Sequence, residues 1–261
     1  MARVGTRGIL VIAAVGMIAA GCGGSAAKVT APPATTTTTT AAPDTPAQRA
    51  ADTALAKQAV LSLHDFPLGW TSSPHDNSGS DVPAPVEKQF EACTHIPKRF
   101  LDDKNDAQPS VDSPDFAKGT VGAGPAAMIQ SSVEIDRAPA DISAPLSYLS
   151  APRTVACFGP FFRASFQQAL KSEPGVAFTN FGIRALSVGS IGDQSAGFQG
   201  RVTLTGAHAS IFVEFNLYFV RTGRAIVMLS AVTFSVPFDQ SFAQTLLDKM
   251  VGRLKPLKAV D

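Results

Sequence analysis

The run from Ala196 to Phe234 most constrains what this chain can fold into, because it reads as three consecutive strands: Ala196 to Thr205, Ala209 to Arg221 and Ala225 to Phe234. In the middle one, Ile211, Val213, Phe215, Leu217 and Phe219 alternate with Phe212, Glu214, Asn216 and Tyr218. A period of two sends successive side chains to opposite faces of a strand. Thr222-Gly223 is a hairpin signal after the middle strand, and Gly206-Ala207-His208 provides another before it. Val176 to Asn180 and Arg184 to Val188 read as two further strands upstream, so the segment predicts an antiparallel meander. One face of the middle strand is wholly apolar. The other is mixed, and it either lines a cleft or lies under a partial cover.

Helical spacing brackets these strands. Ala47 to Leu63 reads as a helix through Leu55, Ala59, Val60 and Leu63, and it ends in His64-Asp65-Phe66-Pro67-Leu68-Gly69-Trp70. Pro67 pushes Phe66 out of the helical region, which delivers Trp70, the single tryptophan, just beyond a helix terminus. Trp70 then has two readings, core anchor or ligand contact. Residues 71–84 read as loop, Pro85 to Thr94 as a short helix, and Lys98 to Thr120 as a charged, irregular loop. The acidic run Asp102-Asp103-Lys104-Asn105-Asp106 within it lacks the spacing and closing Glu of a calcium loop. Met128 to Arg137 alternates as a strand. Pro139 to Leu149 and Pro160 to Leu170 are expected helices, and Phe238 to Leu254 closes the domain with Ala243, Leu246, Leu247, Met250 and Leu254 on one apolar stripe. The expected fold is α+β, a single domain over residues 47–258 in which helices pack an antiparallel meander sheet.

The first 46 residues are expected to stand apart from that domain. Arg3 and Arg7 form a basic leader, Gly8 to Ala20 an apolar stretch, and Ala20-Gly21 a small-residue exit before Cys22. Thirteen residues at about 1.5 Å of helical rise give about 20 Å, short of a hydrocarbon core of about 30 Å. Residues 1–21 are therefore expected to be a signal peptide. The segment resembles a bacterial lipobox, with Ala19 where that pattern usually has Leu, which makes Cys22 the expected lipid-attachment residue and the lipid its link to the membrane. Plain secretion by cleavage near Ala20 is the alternative. From Cys22 to Pro46 the chain is rich in Ala, Thr, Pro and Gly, including the run Thr35 to Thr40. Such a composition buries no core and reads as a disordered tether of about 25 Å mean span.

Charge and cysteine usage exclude several functions. The chain carries 22 Lys plus Arg against 21 Asp plus Glu, and removing residues 1–21 would take Arg3 and Arg7 but no acid. With no basic run longer than Lys98-Arg99, it lacks the clustered cations that nucleic-acid binding needs. Of three cysteines, lipid would occupy Cys22, leaving Cys93 and Cys157 as an expected disulfide in an oxidising compartment. Gly159-Pro160 separates Cys157 from the helix that follows, placing it at a junction within easy reach of the Cys93 helix. A catalytic thiol at Cys93 is the rival, but its neighbour His95 points elsewhere on a helix. The four histidines lack metal-ligand spacing, and neither a Walker loop nor a dinucleotide fingerprint occurs. In Gly192-Asp193-Gln194-Ser195-Ala196-Gly197 the serine stands one place too late for a hydrolase elbow and precedes a strand, so a turn is expected there. No cofactor is expected.

The lipobox, the Thr/Pro tether, the helix running into Leu63-His64-Asp65-Phe66-Pro67-Leu68-Gly69-Trp70, the two helical cysteines, Gly192-Asp193 before a meander and the terminal helix together resemble actinobacterial envelope lipoproteins. Their sensor domain is similar to the extracellular domain of the mycobacterial kinase PknH. Domains of that type often carry two disulfides, where this chain can form one. The resemblance implies an antiparallel sheet flanked by helices, a ligand cleft and no assigned catalytic residues. The leading expectation is thus a non-enzymatic, lipid-anchored domain on the outer face of the cytoplasmic membrane, binding a small envelope ligand or a protein partner. A carrier of lipid or glycolipid, motivated by 17 Phe residues, is the alternative, and an extracytoplasmic hydrolase comes third. Candidate ligand residues are Trp70 and the mixed strand face Phe212, Glu214, Asn216 and Tyr218. Glu214 is the sharpest marker, because a carboxylate buried among aromatics needs a wet cleft or a cationic partner. Its rival reading is an outward-facing residue in bulk water.

Overall fold

A computed structural model describes residues 45–75, 84–94, 109–170, 175–206, 209–255 and 257. The leader, Cys22, the tether and the acidic run Asp102 to Asp106 lie outside the described residues. In chain order the described segments form α1 (Pro46–Ala59), β1 (Thr71–Ser73), α2 (Ala84–Thr94), β2 (Ser110–Asp112), β3 (Asp115–Lys118), β4 (Ala126–Ile135), α3 (Pro139–Leu149), α4 (Pro152–Ala169), β5 (Ala177–Ala185), β6 (Gln194–Thr205), β7 (Ser210–Thr222), β8 (Ala225–Phe234) and α5 (Gln240–Arg253).

The meander forms where alternation predicts it. Strands β5 to β8 pair in succession, with Thr205 opposite Ser210 and Thr222 opposite Ala225 across the two hairpins. What adjacency in sequence does not announce is that β4 pairs along its whole length with β8, giving the order β1-β3-β4-β8-β7-β6-β5 with β2 also on β4. The fold is α+β, one antiparallel sheet packed by helices on both faces. Val133, Leu229 and Val220 meet α1 and α5 on one face. Val213, Phe215, Leu217 and Phe219 meet α4 on the other, beside Phe90 of α2 and Leu146 of α3. The alternation in β7 thus divides its residues between two cores.

Several boundaries differ from expectation, each for a tertiary reason. Helix α1 stops at Ala59, not Leu63, because the backbone donors that would continue it are diverted: Leu61 N–H donates to Ser131 Oγ at 3.1 Å and Ser62 N–H to Asp65 Oδ2 at 2.9 Å. Arg253 at the end of α5 then donates both to Asp65 and to Val60 O, clamping the two helices together. Residues 71–73, 110–112 and 115–118 add short strands where loops are the expectation, because β4 supplies a partner to β2 and β3, and β3 in turn to β1, that their polar sequences do not specify.

Helix α4 begins at Pro152, eight residues ahead of expectation, and runs straight through Gly159-Pro160. An internal proline costs a helix about 3 kcal/mol. Burial of Phe158, Phe161 and Phe162 on both sides of Pro160, at about 1.5–3 kcal/mol each, outweighs it. Cys157 therefore lies inside α4, not at a helix junction. It is bonded to Cys93 near the end of α2, with Cα atoms 5.7 Å apart.

The two strands expected at Val176 to Asn180 and Arg184 to Val188 are one strand, β5, whose register shifts between Thr179 and Gly182 and whose Asn180 adopts φ +52°. Leu186 N–H still donates to Gly197 O at 2.8 Å, and from there to Val188 the chain crosses above Gly197. A Cβ on Gly197 would meet Leu186 O and Val188 Cγ2, each at 2.8 Å, so only a bare backbone admits this crossing. Gly200 does the equivalent on the opposite face, where an added Cβ would sit 1.8 Å from Phe215 Cζ.

Candidate functional site

The mixed face of β7 lies beneath the first turn of α5. Hairpin register sets Gln199 opposite Asn216 and Arg201 opposite Glu214, and β5 adds Arg184 opposite Gln199. These side chains make one hydrogen-bonded chain. Arg184 Nε donates to Gln199 Oε1 at 2.8 Å, and Gln199 Nε2 to Asn216 Oδ1 at 3.0 Å. Asn216 Nδ2 donates to Glu214 Oε1 at 3.2 Å, and Arg201 Nε to Glu214 Oε2 at 2.9 Å. The chain starts and ends on a guanidinium, with its middle out of contact with water.

Helix α5 is seated on the same groups. The Phe238 N–H donates to Glu214 Oε1 at 3.1 Å, Gln240 Nε2 reaches Asn216 Oδ1 at 3.4 Å, and the Tyr218 hydroxyl donates to Gln240 Oε1 at 2.7 Å. Burial pushes the Tyr218 hydroxyl far above its ordinary range, the Gln240 bond offsets part of that, and the Glu214 charge adds to it. It stays protonated and serves as a donor. Asp239 caps α5 by accepting from Ser241 N–H and Phe242 N–H. Hydrogen bonds from the Ser241 side chain and the Phe242 backbone hold its carboxyl below the usual range.

Glu214 and Asn216 are fully inaccessible, at 0 % exposure, so the bulk-water reading of Glu214 is overturned. The residue buries its charge because three donors converge on it, one of them a cation. Phe212 is half-buried and lies under the Arg201 guanidinium, 5.9 Å from its ring centroid. Trp70 is not part of this group. It packs on Phe66 at 4.8 Å and on Phe242 at 5.9 Å, in the aromatic cluster that joins Phe116 of β3 to α5.

The part of this assembly that meets solvent is the face of β5 and β6. Helix α5 lies over β7 and β8 and α1 over β4, while Arg184 and Thr179 are exposed and the Arg201 side chain is 49 % exposed. Sequence reasoning missed Arg184, Gln199, Arg201 and Gln240. A signal for two of them was present, since the turn after Thr205 already sets 199 against 216 and 201 against 214. Gln240 had none, because it meets β7 only through the docking of α5.

Ser195 sits within β6 opposite Val220, and both cysteines of the folded part are oxidised. Among the described residues no three His, Cys, Asp or Glu side chains are grouped to hold a metal ion, and no helix is long and apolar enough to cross a membrane.

No protein-family model matches the chain, and no curated protein matches it in sequence. Among solved structures it is similar to LpqN, described as involved in cell envelope biogenesis of Mycobacterium tuberculosis. That likeness has 12 % identity and a TM-score of 0.26 over 56 % of this chain and 81 % of LpqN. So slight a likeness assigns no function.

Proposed function

We propose that this protein is a lipid-anchored, non-catalytic binding domain of the cell envelope, held on the outer face of the cytoplasmic membrane through Cys22 and similar in kind to the sensor domain of the kinase PknH. The observation that carries the binding reading is the open β5–β6 face, where Arg184 and Arg201 are presented to solvent by partners, Gln199 and Glu214, that are themselves buried. Fixed polar groups on an otherwise helix-covered sheet are what a recognition surface requires. The phenylalanines that motivate a lipid-carrier reading favour it less, because Phe158, Phe162, Phe198 and Phe215 pack on one another at 4.5–5.4 Å as core. The partner is a small envelope ligand or an envelope protein, and the nearly neutral charge disfavours nucleic acid.

Three measurements test this. Organic extraction of the purified protein followed by mass spectrometry is expected to release a co-purifying compound, while crosslinking on intact cells covers a protein partner; finding neither refutes the binding reading. Replacing Cys22→Ala is expected to move the protein out of the membrane fraction. Unchanged partition and electrophoretic mobility would refute the anchor.

A further inference from the structure

We infer that Arg184 and Arg201 together recognise a tetrahedral oxyanion, a phosphoryl group carried by the ligand. Three features of the pair lead there. First, the two residues are diagonal neighbours on one sheet face, since Arg184 stands opposite Gln199 and Arg201 is two residues farther along β6. Diagonal neighbours in a sheet are about 7–8 Å apart, a separation that one phosphoryl group between two guanidinium groups can span. Second, each guanidinium is tied down at Nε, to Gln199 Oε1 and to Glu214 Oε2, and neither Nη group of either residue has a partner among the described residues. Four N–H-bearing nitrogens are thereby held ready with side-chain freedom already lost, which is the arrangement that lowers the entropic penalty of binding.

Third, the charges do not cancel. Glu214 neutralises Arg201, but the anchor of Arg184 is a neutral amide, so the pair keeps one positive charge. The nearby Asp239 carboxylate is engaged with the N–H groups of α5. A planar carboxylate is satisfied by a single guanidinium, whereas a phosphoryl group offers three or more acceptor oxygens and can accept from both. Phe212, under the Arg201 guanidinium, borders the site with an apolar ring suited to whatever the phosphoryl group is attached to.

This inference rests on the binding reading and deepens it. Its test uses the purified full chain, with 15N signals of the arginine Nε–H groups followed during titration with inorganic phosphate at constant ionic strength, and acetate as the planar control. Saturable shifts of the Arg184 and Arg201 signals are expected with phosphate, with acetate at least tenfold weaker. Arg184→Gln is expected to weaken phosphate at least tenfold with the midpoint of thermal unfolding unchanged, because Gln keeps an N–H at the Nε position to donate to the buried Gln199 Oε1. Arg201→Lys, which keeps a cation for Glu214, is expected to weaken it several-fold.

The source of the phosphoryl group is separated by two further probes in a Cys22→Ala background: soluble glycerol 1-phosphate, and flotation with phosphatidylglycerol against phosphatidylcholine vesicles. Arg184-dependent binding in either arm supports the assignment and names the source. Shifts spread evenly over all arginines, or none at Arg184 and Arg201, would overturn it. If a ligand is nonetheless extracted from the protein, the binding reading stands and only the phosphoryl assignment falls.

Discussion

Removing the positive charge from Arg201 should expose how the Glu214 charge is tolerated inside the sheet. Glu214 is wholly buried and takes Arg201 Nε at 2.9 Å, Asn216 Nδ2 at 3.2 Å and Phe238 N–H at 3.1 Å. Deleting one partner of a fully buried pair costs about 3–5 kcal/mol. The Arg201 side chain is 49 % exposed, so water screens part of that loss, and we expect about 2 kcal/mol for Arg201→Met. Glu214→Gln keeps the shape but loses charge-assisted bonds and should cost about 2 kcal/mol as well. If the two act as one pair, the double variant falls short of additivity by about 1–1.5 kcal/mol. Urea unfolding read by the fluorescence of Trp70, the single tryptophan, measures all three. For a domain of this size, 2 kcal/mol also lowers Tm by about 4–8 °C. Strict additivity, or an Arg201→Met as neutral as an ordinary surface change, would refute the claim that this cation is what lets Glu214 be buried.

Two further outcomes are expected. Replacing Cys93 and Cys157 by Ala opens a loop with a sequence separation of 64, for which the chain-entropy model gives a loss of about 4 kcal/mol; a lower urea midpoint checks it, and two alkylatable thiols in native, unreduced protein would contradict the bridge. Burial raises the Asp65 carboxyl, but the bonds from Arg253 and Ser62 N–H and the charges of Arg253 and Lys249 outweigh it and leave the group below its ordinary value of 3.8. A depressed carboxyl stabilises the fold fully above its unfolded value and loses that contribution as pH falls through the folded one. Thermal unfolding between pH 2 and 6 should therefore show a shallower acid limb for Asp65→Asn than for the parent, and identical limbs would refute the assignment.

What the sequence determined by itself was local. The period of two in residues 211–220 placed Phe215 and Glu214 on opposite faces because side-chain direction alternates in any strand, whatever lies above it. The stripe Ala243, Leu246, Leu247, Met250 and Leu254 announced the buried side of α5 for the corresponding helical reason. The glycine at 223 announced the turn between β7 and β8, and the cysteine count paired Cys93 with Cys157. Tertiary structure decided everything that depends on partners distant in sequence. It placed β4 against β8 rather than at an edge, and it carried α4 across Gly159-Pro160 because neighbouring rings bury there. It also made Glu214 a buried anchor by docking α5 on it, leaving Arg184 and Arg201 as the groups that meet solvent. A strand pattern states that a face is mixed, but whether a carboxylate on it ends in water or beneath a helix depends on where that helix packs. That packing follows from the fit of both cores at once, which no window of sequence contains.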